Sequence, residues 1–390
     1  MISALLPTYA RADLAFEHGE GAYLFSTTGE KYLDFASGIA VTALGHSHPH
    51  LVEALMVQGR KLWHTSNLFQ IPGQTRLAER LVASSFADTV FFGNSGAEAG
   101  ELAIKMVRKY QHDTGHPDRY RIITCRGAFH GRTLATLAAA GNEKYLKGYD
   151  PVVDGFDHVA FDNLNELRDR IGPQTAGIMV EPIQGEGGIR PASYEYLRGL
   201  RQTADEFGLV LVFDEVQCGM GRTGKLWAHE WAGVAPDVMM VAKGLGGGFP
   251  VGAVLASEKI GAVMGAGSHG STFGGNMLAM AVGNAVLDVM LAPGFLDNVD
   301  ARAKQLRAKL EEVAKRYPTV LAGVRGAGLI LGLQCVVPNT ELVARLQQNK
   351  LLTVGAGENV VRIVPPLIIG DREIGEAVAA IEAACRSLAG

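Results

Sequence analysis

Only four cysteines occur in the chain, Cys125, Cys218, Cys335 and Cys385, far apart and with no CxxC pair. That scarcity excludes a disulfide scaffold and fits a protein kept reduced in the cytoplasm. A surplus of basic charge is missing as well: 36 Lys and Arg stand against 40 Asp and Glu, a net charge of -4, with no basic run. A nucleic-acid-binding face is therefore not expected. No apolar stretch reaches 18 residues, so no transmembrane helix is expected. The opening MISALLPTYARADLAFEHGE has too short an apolar patch, and acidic residues too early, for a secretory or transit signal. What the chain has in excess is glycine, 49 of 390 residues, about one in eight. The usual share is about 7%. No Gly-X-Y period accompanies it, so the excess signifies tight turns and close backbone approaches of the kind ligand-binding α/β enzymes need. With 47% hydrophobic and 19% charged residues the composition is globular, and 390 residues suffice for two to three domains.

Between about Asp88 and Ser257 short apolar runs (TVFFG, RIITC, HVAF, AGIMVE, LVLVF, DVMMVA, GAVLAS) alternate with segments of helical spacing such as 97–113 and 194–207. Runs apolar on both faces are what strands buried in a parallel sheet look like, so an α/β fold with a mainly parallel, helix-covered central sheet is expected. The C-terminal third predicts long helices over 276–291 and 296–317, a strand at 329–334, short strands near 351–354 and 360–364, and a last helix over 371–388. The N-terminal stretch, with strand-like YLFST and KYLDF, has no helix with which to build its own core. The expected division is a large domain over 47–280 and a smaller α+β domain formed by 1–46 together with 281–390.

Two segments carry most of the chemistry, LVLVFDEVQCGMGRTG (209–224) and DVMMVAKGLGGGFPVGA (237–253). Each is an apolar run ending in a polar residue where the chain leaves the sheet, and open α/β sheets bind ligands at those carboxyl ends. Asp214 and Lys243 stand at such ends, 243 − 214 = 29 residues apart. A lysine set among glycines beside a buried carboxylate suits a Schiff base with an aldehyde cofactor, the carboxylate holding the protonated ring nitrogen of pyridoxal phosphate. On spacing alone, an ordinary strand-end turn and a solvated lysine explain the pattern equally well. VFFGNSGAEAGELAIKM (90–106) reads as strand, glycine turn and helix, with Ser95, Gly96 and Ala97 at the helix start. Free N–H groups and the helix dipole make that place an anion site, although a simple cap has the same look.

NSGAEA, FHGRT (129–133), EPIQGEGG (181–188), FDEVQCGMGRTG, AKGLGGGFP and GSHGSTFGGN occur in that order. In combination they resemble the class III (ornithine-type) aminotransferases, which use pyridoxal 5'-phosphate and have fold type I. The resemblance runs from SGIAVTALGHSHP to RIVPPL, nearly the whole chain. It implies Lys243 as the Schiff-base and proton-shuttling lysine, Asp214 as the partner of the ring nitrogen, Val216 packing beneath the ring and Gln217 bonding its hydroxyl. Glu215 lies within the same cofactor-binding stretch. Ser95, Gly96 and Ala97 match the phosphate turn, with Ala97 where many relatives have threonine, and Phe129 matches the ring-stacking aromatic. Ser271 and Thr272 match a loop that crosses a dimer interface, Thr272 reaching the phosphate of the other subunit. A homodimer with shared sites, or a larger assembly of dimers, is implied. Arg132 and Arg362 match the two arginines that bind substrate carboxylates, and Glu186 the glutamate that covers the second of them when the amino donor is bound.

The implied reaction is ping-pong transfer of a terminal amino group to 2-oxoglutarate, in the cytoplasm. Ornithine-specific relatives carry a tyrosine in a segment reading roughly SSYSAV, where this chain has SGIAV with Ile39. The expected donor is therefore acylated, N2-acetylornithine of arginine biosynthesis, with succinyldiaminopimelate, succinylornithine or free ornithine as alternatives and 4-aminobutyrate a weaker one. A mutase of the same fold and a non-enzymatic regulator that binds the cofactor are the other readings. Two further motifs are set aside. GMGRTGKL (219–226) nearly spells a phosphate-binding loop, but Leu226 stands where Ser or Thr must ligate magnesium. GHSHPH places His46, His48 and His50 at alternate positions, but Pro49 interrupts a regular strand, so metal is not expected. His130, beside Phe129, is read only as lining the site.

Overall fold

The computed structural model describes residues 4–389. Its centre is a seven-stranded sheet whose strands, in chain order, are β1 (Thr89–Gly93), β2 (Arg121–Cys125), β3 (Phe156–Val159), β4 (Thr175–Val180), β5 (Val210–Asp214), β6 (Val238–Val241) and β7 (Gly252–Ala256). Each corresponds to one of the apolar runs read from the sequence. Their spatial order is β1-β7-β6-β5-β4-β2-β3. Only β7 runs against its neighbours. β4, β5, β6 and β7 are buried at every position, which is why both faces of these strands are apolar. The helix Gly96–Asp113 covers one face and Tyr194–Phe207 the other, through two separate apolar clusters.

Register places the chemistry. Phe213 lies opposite Val180, and Asp214 opposite Met240. The parallel strands β4, β5 and β6 therefore end level, bringing Glu181, Asp214 and the Ala242–Lys243 step to one rim of the sheet.

A second, antiparallel sheet is built from Leu321–Ala327, Ile330–Cys335, Val360–Ile363 and Val354–Ala356. The helices Phe295–Arg316, Asn339–Gln348 and Asp371–Leu388 supply apolar side chains to its core. The strand Leu321–Ala327 was not expected, since LAGVRGA carries two glycines and little strand character. At the N-terminus Phe16–Glu20, Tyr23–Ser26 and Lys31–Asp34 form a meander, and Leu351–Leu352 adds to its edge in parallel, Leu33 opposite Leu351. Helix Met277–Met290 is unbroken and packs on Pro49–Gly59 and Pro72–Ala83. Position 280, the expected domain boundary, falls inside this helix. Among the described residues no single helix is long and apolar enough to cross a membrane.

The segments set aside have structural places. Arg222, fully buried, donates to the carbonyls of Leu329 (3.3 Å) and Pro365 and so ties the loop after β5 to the C-terminal sheet. Lys225 lies over the Trp231 ring. His46 bonds Asp34 at 2.8 Å and His50 bonds Asp288 at 2.9 Å.

Candidate active site

At the shared rim of β4, β5 and β6, the buried Asp214 carboxylate is held from two sides. His130 Nδ1 donates to its Oδ2 at 2.8 Å, and the Val216 amide donates to its Oδ1 at 3.0 Å. Burial works to lower the His130 pKa, but the hydrogen bond and charge of Asp214, with Glu181, raise it overall. A buried, hydrogen-bonded histidine–aspartate pair is the result. His130 is thus more than a lining residue, and only its place beside Phe129 hinted at it. Glu181, also buried, accepts from the Phe129 amide at 3.0 Å and the Gly185 amide at 3.4 Å. Burial pushes its carboxyl well above the usual range, and the Asp214 charge adds to this. It links the loop carrying Phe129 to the one carrying Glu186, a role that no spacing in the sequence betrays.

Lys243 opens a short 3-10 turn, Lys243–Leu245, with φ at +45°, a left-handed conformation that strains any side chain with a Cβ. Its ammonium makes no hydrogen bond or ion pair among the described residues. Burial lowers its pKa to about 8, Arg362 adds to this, and Asp214 and Glu181 oppose it. A primary amine poised near neutrality, unengaged, beside a fixed carboxylate is a nucleophile in waiting.

Ser95 caps the helix Gly96–Asp113, its hydroxyl accepting from the Glu98 amide at 3.2 Å. The amides of Gly96 and Ala97 keep no acceptor among the described residues, so an anion at this helix start would meet free N–H groups and the dipole. Gly96 is required here, because a Cβ on it would stand 2.9 Å from Val216 Cγ1. Val216 and the phosphate turn are therefore in direct contact. Gln217 Oε1 is buried without a partner, and a Cβ on Gly185 would strike it at 1.7 Å. Ser271 Oγ accepts from Asn94 Nδ2 at 3.3 Å, which fastens its loop to the residue preceding Ser95.

The two expected carboxylate-binding arginines differ in state. Arg362, only 3% exposed, forms an ion pair with Glu186 at 2.9 Å and donates to the Gly355 carbonyl. Arg132 is exposed, has no carboxylate partner among the described residues, and lies 3.8 Å over the Tyr145 ring and 5.4 Å from Phe129. One cation is covered and the other is open. Two expected residues stand apart. Glu215 spends its buried carboxylate on the Ala228 amide (2.6 Å), the His229 amide (2.8 Å) and the His229 ring (2.7 Å), so its side chain anchors the 228–231 turn instead of facing a ligand. Thr272 is exposed and bonds none of the other site residues.

These groups fit pyridoxal phosphate. A free amine answers its aldehyde, a carboxylate its ring nitrogen, the orphaned Gln217 amide its ring hydroxyl, and the open helix start its phosphate. No cluster of metal-ligating side chains is found among the described residues.

A family model described as aminotransferase class-III matches residues 7–385. The chain is 58% identical to the acetylornithine aminotransferase of Mesorhizobium japonicum, over 99% of this chain and 97% of that one. It is 59% identical to acetylornithine aminotransferase 1 of Bradyrhizobium diazoefficiens, over 98% and 95%. The solved N-acetylornithine aminotransferase of Stenotrophomonas maltophilia superposes with a TM-score of 0.86 at 39% identity, covering 97% of both chains. The ornithine aminotransferase of Toxoplasma gondii gives 0.95 at 29% identity, covering 99% and 93%. The chain belongs to the class III aminotransferases, with the α/β fold of their type I architecture.

Proposed function

We propose that the chain is an N-acetylornithine aminotransferase, moving the terminal amino group of N2-acetylornithine to 2-oxoglutarate in arginine biosynthesis. Products are N-acetylglutamate 5-semialdehyde and glutamate. The observation that carries the donor is the 58–59% identity, over nearly the full length of both chains, with proteins named acetylornithine aminotransferase. Ile39, 40% exposed in a left-handed segment, supports an acylated donor, because it offers no hydroxyl to a free amino-acid head.

Pyridoxal phosphate, when bound, supplies an aldehyde for the incoming amine and a ring that takes up the electron pair released at the donor carbon. Asp214, held in place by hydrogen bonds from His130 and the Val216 amide, would face the protonated ring nitrogen. Lys243 Nζ would hold the aldehyde of the resting enzyme and, once free, would carry the proton taken from the donor carbon. Its depressed pKa leaves a usable fraction of neutral amine near pH 8. Gly96 and Ala97 would hold the phosphate through their amides, Ser95 fixes the helix start, and Val216 and Phe129 would pack against the ring.

Arg132 binds the substrate carboxylate common to donor and acceptor. Glu186 on Arg362 neutralises the second cation while the donor is bound, and swings away when the second carboxylate of 2-oxoglutarate arrives. A second copy completes the site through Ser271 and Thr272. Large apolar side chains around that loop support this: Trp63 (66% exposed), Leu68 (88%), Phe69 (67%) and Phe273 (60%), with Asn67 bonding the Ser271 and Gly274 carbonyls. We place the enzyme in the cytoplasm, where its four free cysteines stay reduced.

The test is a spectroscopic titration of the yellow, cofactor-loaded protein with single amino donors and no keto acid. Bleaching by N2-acetylornithine at concentrations well below those needed for ornithine or 4-aminobutyrate is expected. Preferential bleaching by ornithine would keep the reaction and overturn the donor.

A further inference from the structure

One tyrosine touches both halves of the substrate-binding charge arrangement. Tyr145 lies on the one-turn helix Glu143–Leu146, whose first turn is capped by Asn142 accepting from the Lys144 amide at 3.1 Å. Its ring sits 3.8 Å beneath the Arg132 guanidinium, closer than Phe129 does at 5.4 Å. Its hydroxyl donates to Glu186 Oε1 at 3.3 Å, while Glu186 Oε2 takes Arg362 at 2.9 Å. The two oxygens of Glu186 are thus divided between a phenol and a guanidinium. Arg132, Tyr145, Glu186 and Arg362 form an unbroken chain from the open cation to the covered one.

We propose that Tyr145 is a positioning residue that holds Arg132 with its ring and latches Glu186 onto Arg362 with its hydroxyl, so setting the balance between amino donor and dicarboxylate acceptor. The inference rests on the reading of Arg132, Glu186 and Arg362 as substrate-binding. The donor has a single carboxylate, taken by Arg132, and its reacting end is a CH2–NH2 group with no second carboxylate for Arg362, so it is compatible with the closed Glu186–Arg362 pair. A dicarboxylate has to break that pair, and with it the hydroxyl bond from Tyr145. The latch therefore works against the acceptor alone, whereas the ring serves both substrates through Arg132.

The two roles separate by substitution. Tyr145→Phe removes the hydroxyl and keeps the platform, and Tyr145→Leu removes both. The probe is glutarate, a dicarboxylate with no keto or amino group to react, titrated calorimetrically into the cofactor-loaded enzyme. Donor affinity is read in parallel from bleaching by N2-acetylornithine. For Tyr145→Phe the glutarate dissociation constant is expected to fall about two- to fivefold, the size of one partly exposed hydrogen bond to a charged group, so that the preference for donor over glutarate drops. For Tyr145→Leu both ligands are expected to weaken, by about threefold or more, as Arg132 loses its aromatic support.

Glu186→Ala serves as the control that tests the underlying reading: it frees Arg362 and must tighten glutarate more than Tyr145→Phe does. If Glu186→Ala leaves glutarate affinity unchanged, the switch and the latch fall together. If Glu186→Ala tightens glutarate while Tyr145→Phe matches wild type or weakens it, the switch stands and the latch is refuted. Should the leucine variant fail to fold, the phenylalanine variant decides the matter alone. A merely structural tyrosine would not improve the binding of one ligand relative to the other.

Discussion

Replacing Lys243 by methionine should make the cofactor-free protein more stable while abolishing its activity. The lysine sits partly buried in a left-handed turn, and its ammonium is without a hydrogen bond. Its pKa falls from 10.5 to about 8, chiefly through burial. At about 1.4 kcal/mol per unit, a shift of roughly 2.5 units is an upper bound near 3.5 kcal/mol. Partial solvent access reduces that to about 1–2 kcal/mol. Methionine fills nearly the same volume and carries no charge, so most of this penalty should be recovered.

The pH dependence is the sharper part. Below about pH 8 the lysine is protonated in both folded and unfolded chains, and the whole penalty is present. Between about 8 and 10.5 the folded protein has already released the proton that the unfolded chain still binds, so wild-type stability climbs with pH through that window. Methionine has no such climb. With an unfolding entropy of about 2.1 cal/mol/K per residue, 1–2 kcal/mol in a chain of this length is about 1–3 °C. Thermal melts of stripped wild type and Lys243→Met, at one fixed scan rate, should differ by that amount at pH 7 and converge as pH rises to about 10.5. Adding pyridoxal phosphate should reverse the order, since only wild type gains covalent attachment to the ligand. A variant that melts at or below wild type at pH 7, or a gap that ignores pH, would refute the argument that desolvation of this amine destabilises the fold.

Two other substitutions probe the frame of the site. Glu215→Ala removes three hydrogen bonds and strands the buried amides of Ala228 and His229. Its cost should be about 3–5 kcal/mol, read as a lowered urea midpoint; a loss under 1 kcal/mol would mean that the 228–231 turn finds other acceptors. Gly96→Ala places a methyl 2.9 Å from Val216 Cγ1 and 3.2 Å from its Cγ2. Displacing Val216 should weaken pyridoxal phosphate about tenfold or more, while the stripped protein loses only about 1–3 kcal/mol of stability. Unchanged cofactor affinity would separate the helix start from the phosphate site.

What could be read in the chain beforehand follows from where each residue's environment is encoded. Strands β4 to β7 are buried on both faces, so their sequences are unbroken apolar runs, and any polar residue at their ends is conspicuous. Asp214 and Lys243 were visible for that reason, and glycines crowding the cofactor turn marked Gly96. Leu321–Ala327 was missed because its pairing with Ile330–Cys335, not its own composition, makes it a strand. Helix Met277–Met290 was legible over 276–291, and the expected boundary at 280 already lay inside it.

The partners of the reactive groups were the least legible, and the reason is physical. His130 reaches Asp214 across 84 positions, Glu181 reaches the Phe129 amide across 52, and Tyr145 reaches Glu186 across 41. Each such contact depends on the register of β4 against β5, or on where a one-turn helix is set down, and none leaves a periodicity in the chain. Yet these partners decide the chemistry. A carboxylate at a strand end is only an acid until a buried histidine fixes its orientation, and an arginine is only a cation until a glutamate covers it. Motifs locate the atoms that react, and the long-range pairings determine the partners against which those atoms wait.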